Sequence, residues 1–170
     1  MKHYAQVYFL DSSVLLPLLD REARIVPRDQ VTALNRFRYR ILRRNIKVKI
    51  SIIVLGEVLQ KAVKEDALEI LNELSRLLSY MNERLEFCSL RKFRNAYSRF
   101  PEVLQSLLNE DDWLRDSPTD ALILTQALLD AEVNVLYTSD TKLLLSTRIK
   151  DFANRIRERE GYNPMRIKAP

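Results

Sequence analysis

The sequence predicts an α/β protein: a three-layer α/β/α sandwich with a mostly parallel central sheet and additional helices in the middle of the chain. Short runs of β-branched and aromatic residues alternate with longer segments of helical periodicity, which is the pattern of such sandwiches. The 170 residues fit one domain, since neither an internal repeat nor a low-complexity linker divides them. We therefore expect a single domain over residues 1–170, with a helical elaboration at about 67–114 and a basic C-terminal helix and tail at about 148–170.

The first third of the chain contains two predicted strands. Residues 4–10 are a short apolar run that stops at the turn Asp11-Ser12-Ser13, where a serine can cap a short helix through Leu19. Apolar residues recur at helical spacing over residues 30–44, which predicts one long helix before a second strand at residues 47–50.

Two helices are predicted next. Ser51 is the expected cap of the first helix, and residues 67–81 form the second, which contains no helix-breaking residue. The first is predicted to turn Ile52, Leu55, Leu59 and Val63 inward, and the second carries Leu68, Leu71, Leu74 and Leu78 at helical spacing.

The second half of the chain continues the alternation. In order, the predicted elements are a strand at 85–88, helices at 90–99 and 102–114, a helix at 119–131, a strand at 134–138 and a basic helix that ends near residue 161. Pro101 separates the first two of these helices, and Ser117 followed by Pro118 is a typical helix start.

Four acidic residues stand where a buried carboxylate needs a compensating partner. Asp11 and Asp140 directly follow predicted strands, Glu57 lies within two turns of another strand, and Asp120 is the third residue of a helix. The carboxyl ends of parallel strands meet at one edge of a sheet, so we expect these side chains to lie together. Carboxylates at one point repel each other unless a cation joins them, and oxygen ligands suit Mg²⁺ or Mn²⁺. The pattern indicates a metal-dependent phosphodiesterase.

Each acid also has a purely structural explanation. Asp11 and Asp140 can cap the helices that follow them, and Asp120 stands three residues after Ser117 as in a capping box. For Glu57, which interrupts a nearly continuous apolar segment, the alternative is a solvated position at the rim. The interpretation as a site depends on all four acids occurring together.

Four segments of the chain resemble the acidic motifs of the PIN-domain nucleases, which include the VapC-type toxins. They are residues 9–13 (FLDSS), 53–58 (IVLGEV), 119–124 (TDALIL) with Ala127, and 137–140 (YTSD). By this resemblance, which covers about residues 5–145, the catalytic and metal-binding acids are Asp11, Glu57, Asp120 and Asp140, with Ser12 or Thr138 as polar support. The resemblance implies a PIN-like sandwich that hydrolyses RNA phosphodiester bonds with Mg²⁺ or Mn²⁺ and needs no histidine base.

Two features depart from that family. Residues 67–114 contain more helix than a minimal member needs, and Leu143 and Leu144 stand where a further acid is often found just past the fourth. Asp116, one helical turn before Asp120, is a candidate replacement as an outer ligand.

Composition narrows the class of function. The formal charge is +5 and the pI is near 9.4, which suits a nucleic-acid partner. Gly56 and Gly161 are the only glycines, so a P-loop or a dinucleotide-binding turn is excluded. The single cysteine, Cys88, cannot form an internal disulfide, and no apolar run approaches the roughly 18 residues of a membrane helix. We expect a cytoplasmic protein with no membrane partner.

The densest basic stretch of the chain is the predicted RNA-binding surface, with Tyr39 available to stack on a base. Its candidate residues are Arg36, Arg38, Arg40, Arg43 and Arg44. The alternative is a solvated helix face whose arginine stems cover the edge of the core. Trp113 is interpreted as a core or interface residue.

The first hypothesis is a metal-dependent endoribonuclease, either the toxin of a toxin–antitoxin pair or an RNA-processing enzyme. Its expected partners are RNA, an antitoxin protein and a second copy of the chain that packs on the helix at 67–81. The alternative is a non-catalytic PIN-like module that binds RNA or protein, although such a module has no need of all four acids. A haloacid-dehalogenase phosphatase is set aside, because Asp11-Ser12-Ser13 lacks the second aspartate of that family's Asp-x-Asp motif.

Overall fold

The central sheet consists of parallel strands. The computed structural model describes residues 5–88 and 98–170, and the strands within those ranges are Gln6–Leu10 (β1), Ile46–Ser51 (β2), Leu85–Cys88 (β3), Val135–Tyr137 (β4) and Arg166–Lys168 (β5). Their order across the sheet is β3-β2-β1-β4-β5, and each neighbouring pair is parallel. The predicted α/β fold class is confirmed.

Helices cover both faces of this sheet. Those of the described ranges are Ser12–Leu19 (α1), Arg28–Ala33 (α2), Asn35–Ile41 (α3), Ile52–Lys64 (α4), Glu69–Met81 (α5), Phe100–Glu110 (α6), Trp113–Asp116 (α7), Pro118–Leu128 (α8), Thr141–Leu145 (α9) and Thr147–Arg159 (α10), with a 3-10 turn at Asn82–Arg84. Helices α1, α4 and α5 contact one another, as do α6, α8 and α10. Because parallel crossovers are right-handed, the first group lies on one face and the second on the other.

The direction of the chain across the sheet reverses between β1 and β4. From β1 the chain adds β2 and β3 on one side, then crosses back to add β4 and β5 on the other. Leu10 pairs with Tyr137, so β1 and β4 end side by side. Parallel α/β proteins bind ligands in the crevice outside the strand ends at such a switch point.

Two predicted helices are each divided in the structure. The helix predicted at 30–44 is instead α2 and α3, which meet at Leu34. The helix predicted at 102–114 is α6 and α7, because Asp111 adopts an extended conformation with φ −150° and ψ 122°. Apolar periodicity alone does not reveal such breaks, since the buried stripe continues across them.

The predicted inward face of α4 is confirmed for Leu55 and Leu59, which are partly buried against the core, and is wrong for Ile52 and Val63. Its buried residues are Val54, Val58 and Ala62, whereas Ile52 and Val63 are 51% and 69% exposed. The helix is apolar around much of its circumference, so periodicity did not define its phase. This correction brings Glu57 next to the buried face, where it is partly buried.

In α5 the leucines at helical spacing are not all buried. Ile70, Leu74 and Met81 are buried there, while Leu68, just before the helix, and Leu71 are exposed. Apolar side chains of both helices therefore remain on the protein surface.

One strand of the structure was not predicted, and one predicted helix lies mostly outside the described residues. Strand β5 was not predicted, because its sequence Arg-Ile-Lys is short and polar, as is typical of edge strands. The helix predicted at 90–99 falls mostly at 89–97, outside the described residues. Over residues 5–88 and 98–170, no helix is long and apolar enough to cross a membrane.

A group of paired charges lies where the chain enters β4. Lys49, on β2, is 4% exposed and its Nζ lies 2.5 Å from Asp130 Oδ2 and 2.7 Å from Glu132 Oε2. Lys47 Nζ lies 3.0 Å from Glu132 Oε2 and 2.7 Å from Glu86 Oε2. We call Lys47, Lys49, Asp130 and Glu132 the lysine–acid cluster. It lies toward the edge where strands begin, since Asp130 and Glu132 belong to the α8–β4 turn.

A single buried arginine holds the same turn. Arg157, on α10, is 1% exposed, and its guanidinium donates to the carbonyl oxygens of Leu128, Asp130, Ala131 and Val133. Its Nε also donates to the Asn163 carbonyl at 2.8 Å. Burial lowers the pKa of Arg157, but these carbonyls replace the water that the guanidinium loses.

Candidate active site

Asp11 occupies the end of β1 and is held by three hydrogen bonds. The Ser12 backbone N–H donates to Oδ1 at 2.7 Å, and the hydroxyls of Ser13 and Thr138 donate to Oδ2 at 2.6 and 2.9 Å. The side chain is 4% exposed. These donors stabilise the carboxylate and fix its direction.

Asp140 lies beside Asp11 because β1 and β4 end together. Its Oδ1 accepts from the Lys142 backbone N–H at 2.7 Å, which caps α9. Its own N–H donates to the Thr138 hydroxyl at 3.0 Å, and the Ser139 N–H donates to the Ser13 hydroxyl at 2.9 Å. Two hydroxyl groups therefore join the two strand ends.

The pKa of Asp120 is affected by the charges of all three other acids. Asp120 is the third residue of α8, after Ser117 and Pro118. Burial is the largest cause that raises its pKa to about 6, and the charges of Asp11, Asp140 and Glu57 add to the effect in that order. The Ser117 hydroxyl acts in the opposite direction. We call these residues the four-acid group.

Glu57 reaches this group from the other helical layer. It lies in the second turn of α4, which begins directly after β2 and is capped by Ser51, whose Oγ accepts from the Ile53 N–H at 3.1 Å. Helix α4 contacts α8. The four carboxylates thus come from four separate elements, which local capping does not require.

The donor set has the chemistry of a site for a hard cation. All four groups are carboxylates, and within residues 5–88 and 98–170 the other side chains bonded to Asp11 are the hydroxyls of Ser13 and Thr138. Within the described ranges, no three acidic, histidine or cysteine side chains converge closely enough to ligate one ion directly. Mg²⁺ commonly keeps several waters and uses only one or two carboxylates. The residues therefore fit a cation that binds one or two of the carboxylates directly and contacts the others through its bound water molecules.

The predicted supporting residues have different positions. Thr138 contacts both Asp11 and Asp140, whereas Ser12 contributes its backbone N–H to Asp11. Ser13, which the sequence analysis did not single out, supplies the hydroxyl instead, and its spacing two residues after an aspartate was the available signal. Asp116 ends α7 and is exposed.

A groove of about 580 Å³ opens beside the acids. Ser12, Ser13 and Asp140 line one part of it, and Leu16, Gln30 and Lys61 line others. Lys61 projects from α4 and is exposed. The groove gives an extended ligand access to Asp140, the member of the four-acid group that lines it.

The predicted RNA-binding arginines do not line this groove as a group. Arg43 and Arg44 are exposed and come just before β2, so they lie at the edge where strands begin. Arg36, on α3, is also exposed.

Two of these arginines have contacts within the fold. Arg38 is partly buried and donates to the Leu18 carbonyl, and burial, followed by the charge of Arg21, lowers its pKa. Arg40 Nη1 lies 3.4 Å from the Tyr137 hydroxyl.

Comparisons with known proteins give one informative result. No family model and no curated protein matches the chain. A chain in the crystal structure of VapBC2 from Rickettsia felis, bound to a DNA fragment from their promoter, superposes with a TM-score of 0.55. The fold is PIN-like. The alignment covers 96% of this chain and 98% of that chain at 17% identity, so the likeness concerns the PIN-like fold alone.

Proposed function

We propose that this protein is a divalent-metal-dependent endoribonuclease that hydrolyses RNA phosphodiester bonds. The observation that carries the proposal is the gathering of four carboxylates at the switch point, where three of them help to raise the pKa of Asp120 to about 6. Bringing like charges together is costly, and a divalent cation removes that cost. The PIN-like fold and the net charge of +5 support RNA as the substrate.

The residues have distinct roles in this proposal. Asp11 is the most firmly held ligand, Asp140 joins it from the neighbouring strand, and Asp120 and Glu57 complete the oxygen set. When bound, Mg²⁺ or Mn²⁺ lowers the pKa of a water and stabilises charge on the scissile phosphate. Without the metal ion, Asp120 retains a proton on its carboxyl group up to about pH 6. Protons and metal ions therefore compete for this residue.

Cleavage of a structured RNA pool tests the proposal. Purified protein is incubated with Mn²⁺, Mg²⁺ or EDTA beside Asp11→Asn and the control Asp151→Asn, whose acid is exposed on α10. We expect cleavage that needs the metal, disappears in Asp11→Asn and persists in Asp151→Asn. Calorimetry with Mn²⁺ measures metal binding separately.

Three other outcomes are informative. Wild-type cleavage by Asp11→Asn would remove the site assignment. Absence of both cleavage and Mn²⁺ binding would favour a non-catalytic PIN-like module that binds RNA or protein. Mn²⁺ binding without cleavage would retain the metal site and reject the pool as substrate.

We also propose that a partner protein covers the exposed apolar side chains at the end of α4 and just before α5. Val63 is 69% exposed and Leu68 is 55% exposed, and such patches mark protein interfaces. The similarity to a VapBC2 chain supports an antitoxin partner, and thus a toxin rather than an RNA-processing enzyme, while a second copy is the other occupant.

Light scattering of the purified chain separates these occupants. A homodimer that dissociates in Val63→Lys or Leu68→Lys supports a second copy, whereas a monomer leaves the surface to an antitoxin. Leu145→Lys is the control, since Leu145 is 77% exposed on α9.

A further inference from the structure

A lysine that contacts Asp140 through its backbone also places its ammonium over an aromatic ring. The Lys142 backbone N–H donates to Asp140 Oδ1 at 2.7 Å, while its ammonium lies over the Trp113 ring, 5.3 Å from the centroid. A single residue thus contacts both a member of the four-acid group and the ring. Trp113, on α7, and Asp120, on α8, belong to consecutive helices that contact each other.

The ring is held while the cation is accessible. Trp113 is partly buried and packs against the core, whereas Lys142 is exposed. The Ser146 hydroxyl lies 3.4 Å from Asp111 Oδ2, which connects the turn before α7 to the turn after α9. The Trp113 ring is therefore held in place by the core, and the Lys142 ammonium above it is exposed to solvent.

We propose that Trp113 and Lys142 form a subsite for one unpaired nucleotide of the RNA, in which the ring stacks on the base and the ammonium pairs with a phosphate. This inference rests on the proposed ribonuclease function, and it assigns substrate positioning to two residues outside the four-acid group. It adds a contact with the base to Trp113, which the sequence indicated to be a core or interface residue and which packs against the core.

Replacing the contact between Lys142 and the ring by a base stacked on the ring is expected to be favourable in free energy. An exposed cation–π contact contributes about two- to fivefold to an equilibrium constant, whereas stacking of one base on an aromatic side chain contributes about five- to 150-fold. The displaced ammonium does not lose its electrostatic interaction, because a phosphate replaces the ring. A nucleotide can therefore displace Lys142 from the ring with a net gain.

The subsite selects for single strands. A base inside a duplex is stacked on both faces and offers none to the ring, whereas an unpaired base is free to stack. Asp112, just before α7, and Asp116, at its end, are exposed acids. The guanidinium of Arg115, on the same helix, bonds to the Leu108 carbonyl and to Asn109 Oδ1, whereas the Lys142 ammonium lies over the ring, so Lys142 is the cation assigned to the phosphate. Binding should consequently be sensitive to salt.

The fluorescence of Trp113 tests this directly, because it is the only tryptophan in the chain. The probe is a 2′-O-methyl oligoadenylate, used alone or annealed to complementary 2′-O-methyl oligouridylate, with Ca²⁺ present to neutralise the acids. We expect the single strand to change the emission of Trp113 and the duplex to leave it unchanged. Anisotropy of the labelled strand measures affinity independently of the ring.

Substitutions of Trp113 and Lys142 test base stacking and phosphate binding separately. We expect Trp113→Leu to weaken single-strand binding about tenfold and Trp113→Phe to stay near the wild type, because stacking needs only an aromatic face. Lys142→Ala should weaken binding by about three- to fivefold and Lys142→Arg should restore most of it. Lys64→Ala is the control, since Lys64 is exposed at the far end of α4. Lys142→Ala remains decisive if Trp113→Leu fails to fold.

The two proposals fail in different ways. Binding by anisotropy without a change in Trp113 emission, unchanged affinity in Lys142→Ala, or no binding at all would overturn the subsite even if the protein cleaves RNA. Emission changes that depend on Lys142 in a protein that does not cleave RNA would support the subsite and count against the ribonuclease.

Discussion

The lysine–acid cluster and the four-acid group place carboxylates in opposite electrostatic conditions. In the first, a hydrogen bond from Lys49 is the largest cause that lowers the pKa of Glu132 to about 2, with Lys47 adding to it. In the second, burial and three neighbouring acids raise the pKa of Asp120 to about 6. The first group is compensated by lysines of the chain itself, whereas the Ser117 hydrogen bond is the one compensating interaction of Asp120 within the described residues. Uncompensated groups of this kind cluster at functional sites.

The largest effect is expected from breaking the compensated cluster. Lys49→Met leaves Asp130, which is 3% exposed, without its main counter-charge. We expect the free energy of unfolding to fall by about 3–5 kcal/mol, as when one partner of a buried ion pair is removed. Urea denaturation measures the change. The double variant Lys49→Met/Asp130→Leu should recover much of it, and a loss below about 1 kcal/mol in the single variant would contradict the pairing.

The next effect concerns the hydroxyl that joins the strand ends. Thr138→Val keeps the shape but removes the donor to Asp11 and the acceptor for the Asp140 N–H. We expect a loss of about 1–3 kcal/mol in unfolding free energy, together with weaker Mn²⁺ binding by calorimetry.

Thr125→Val is the matched control for that variant. Thr125 is fully buried, and among the described residues its hydroxyl has no hydrogen-bond partner. We expect Thr125→Val to be neutral or stabilising, because no bond is lost and a buried polar group is removed. Equal losses in both variants would mean that the strand-end bonds contribute nothing specific.

A smaller effect of opposite sign is expected for Asp120→Asn. The folded protein keeps the Asp120 proton up to about pH 6, whereas the group ordinarily releases it near 3.8, so its contribution to stability is lost as the pH rises through that window. In EDTA, Asp120→Asn should therefore be more stable than the wild type by about 1 kcal/mol above pH 6, with allowance for partial exposure.

The control for Asp120→Asn is the same comparison of stability at low pH. The difference should vanish below pH 4, where both proteins are neutral at this position, and thermal melts at the two pH values measure it. Saturating Mn²⁺ should reverse the ranking, because ligand binding stabilises the protein that binds it. A destabilised Asp120→Asn at neutral pH in EDTA would contradict the repulsion.

The smallest effect is expected for Glu132→Gln. Because the pKa of Glu132 is lowered from 4.5 to about 2, its stabilisation is present above pH 4.5 and is lost as the pH falls toward 2. The side chain is 54% exposed, so the loss at neutral pH should stay below about 1 kcal/mol. Urea titrations at neutral pH and near pH 2 should show this difference only in the former.

The positions of Asp11 and Asp140 were predictable because their signal is local: a short apolar strand followed by a capping acid. The same signal occurs at Asp20 and Asp130, which also end apolar runs. Asp20 accepts backbone N–H groups of residues 24–26, and Asp130 pairs with Lys49, which is 81 positions away. Local sequence therefore identifies a buried acid, but only the tertiary structure distinguishes a compensated acid from an uncompensated one.

The less predictable features depend on contacts that no short segment contains. Two residues of the inward face of α4 were misassigned because Ile52 and Val63 are as apolar as the buried Val54 and Val58, so packing decides between them. The contact of Lys142 with Trp113 likewise joins two helices that the sequence does not relate.

The carbonyl contacts of Arg157 set an order for the completion of the four-acid group. They close the turn that leads into β4, and β4 in turn positions Asp140. Until the growing chain includes Arg157, several carbonyl oxygens of that turn lack their charged hydrogen-bond donor. Their burial without it disfavours the native turn. During synthesis, residues 11, 57, 120 and 140 all precede residue 157. The nascent chain therefore contains every acid of the group before it contains the residue that locks the last of them in place.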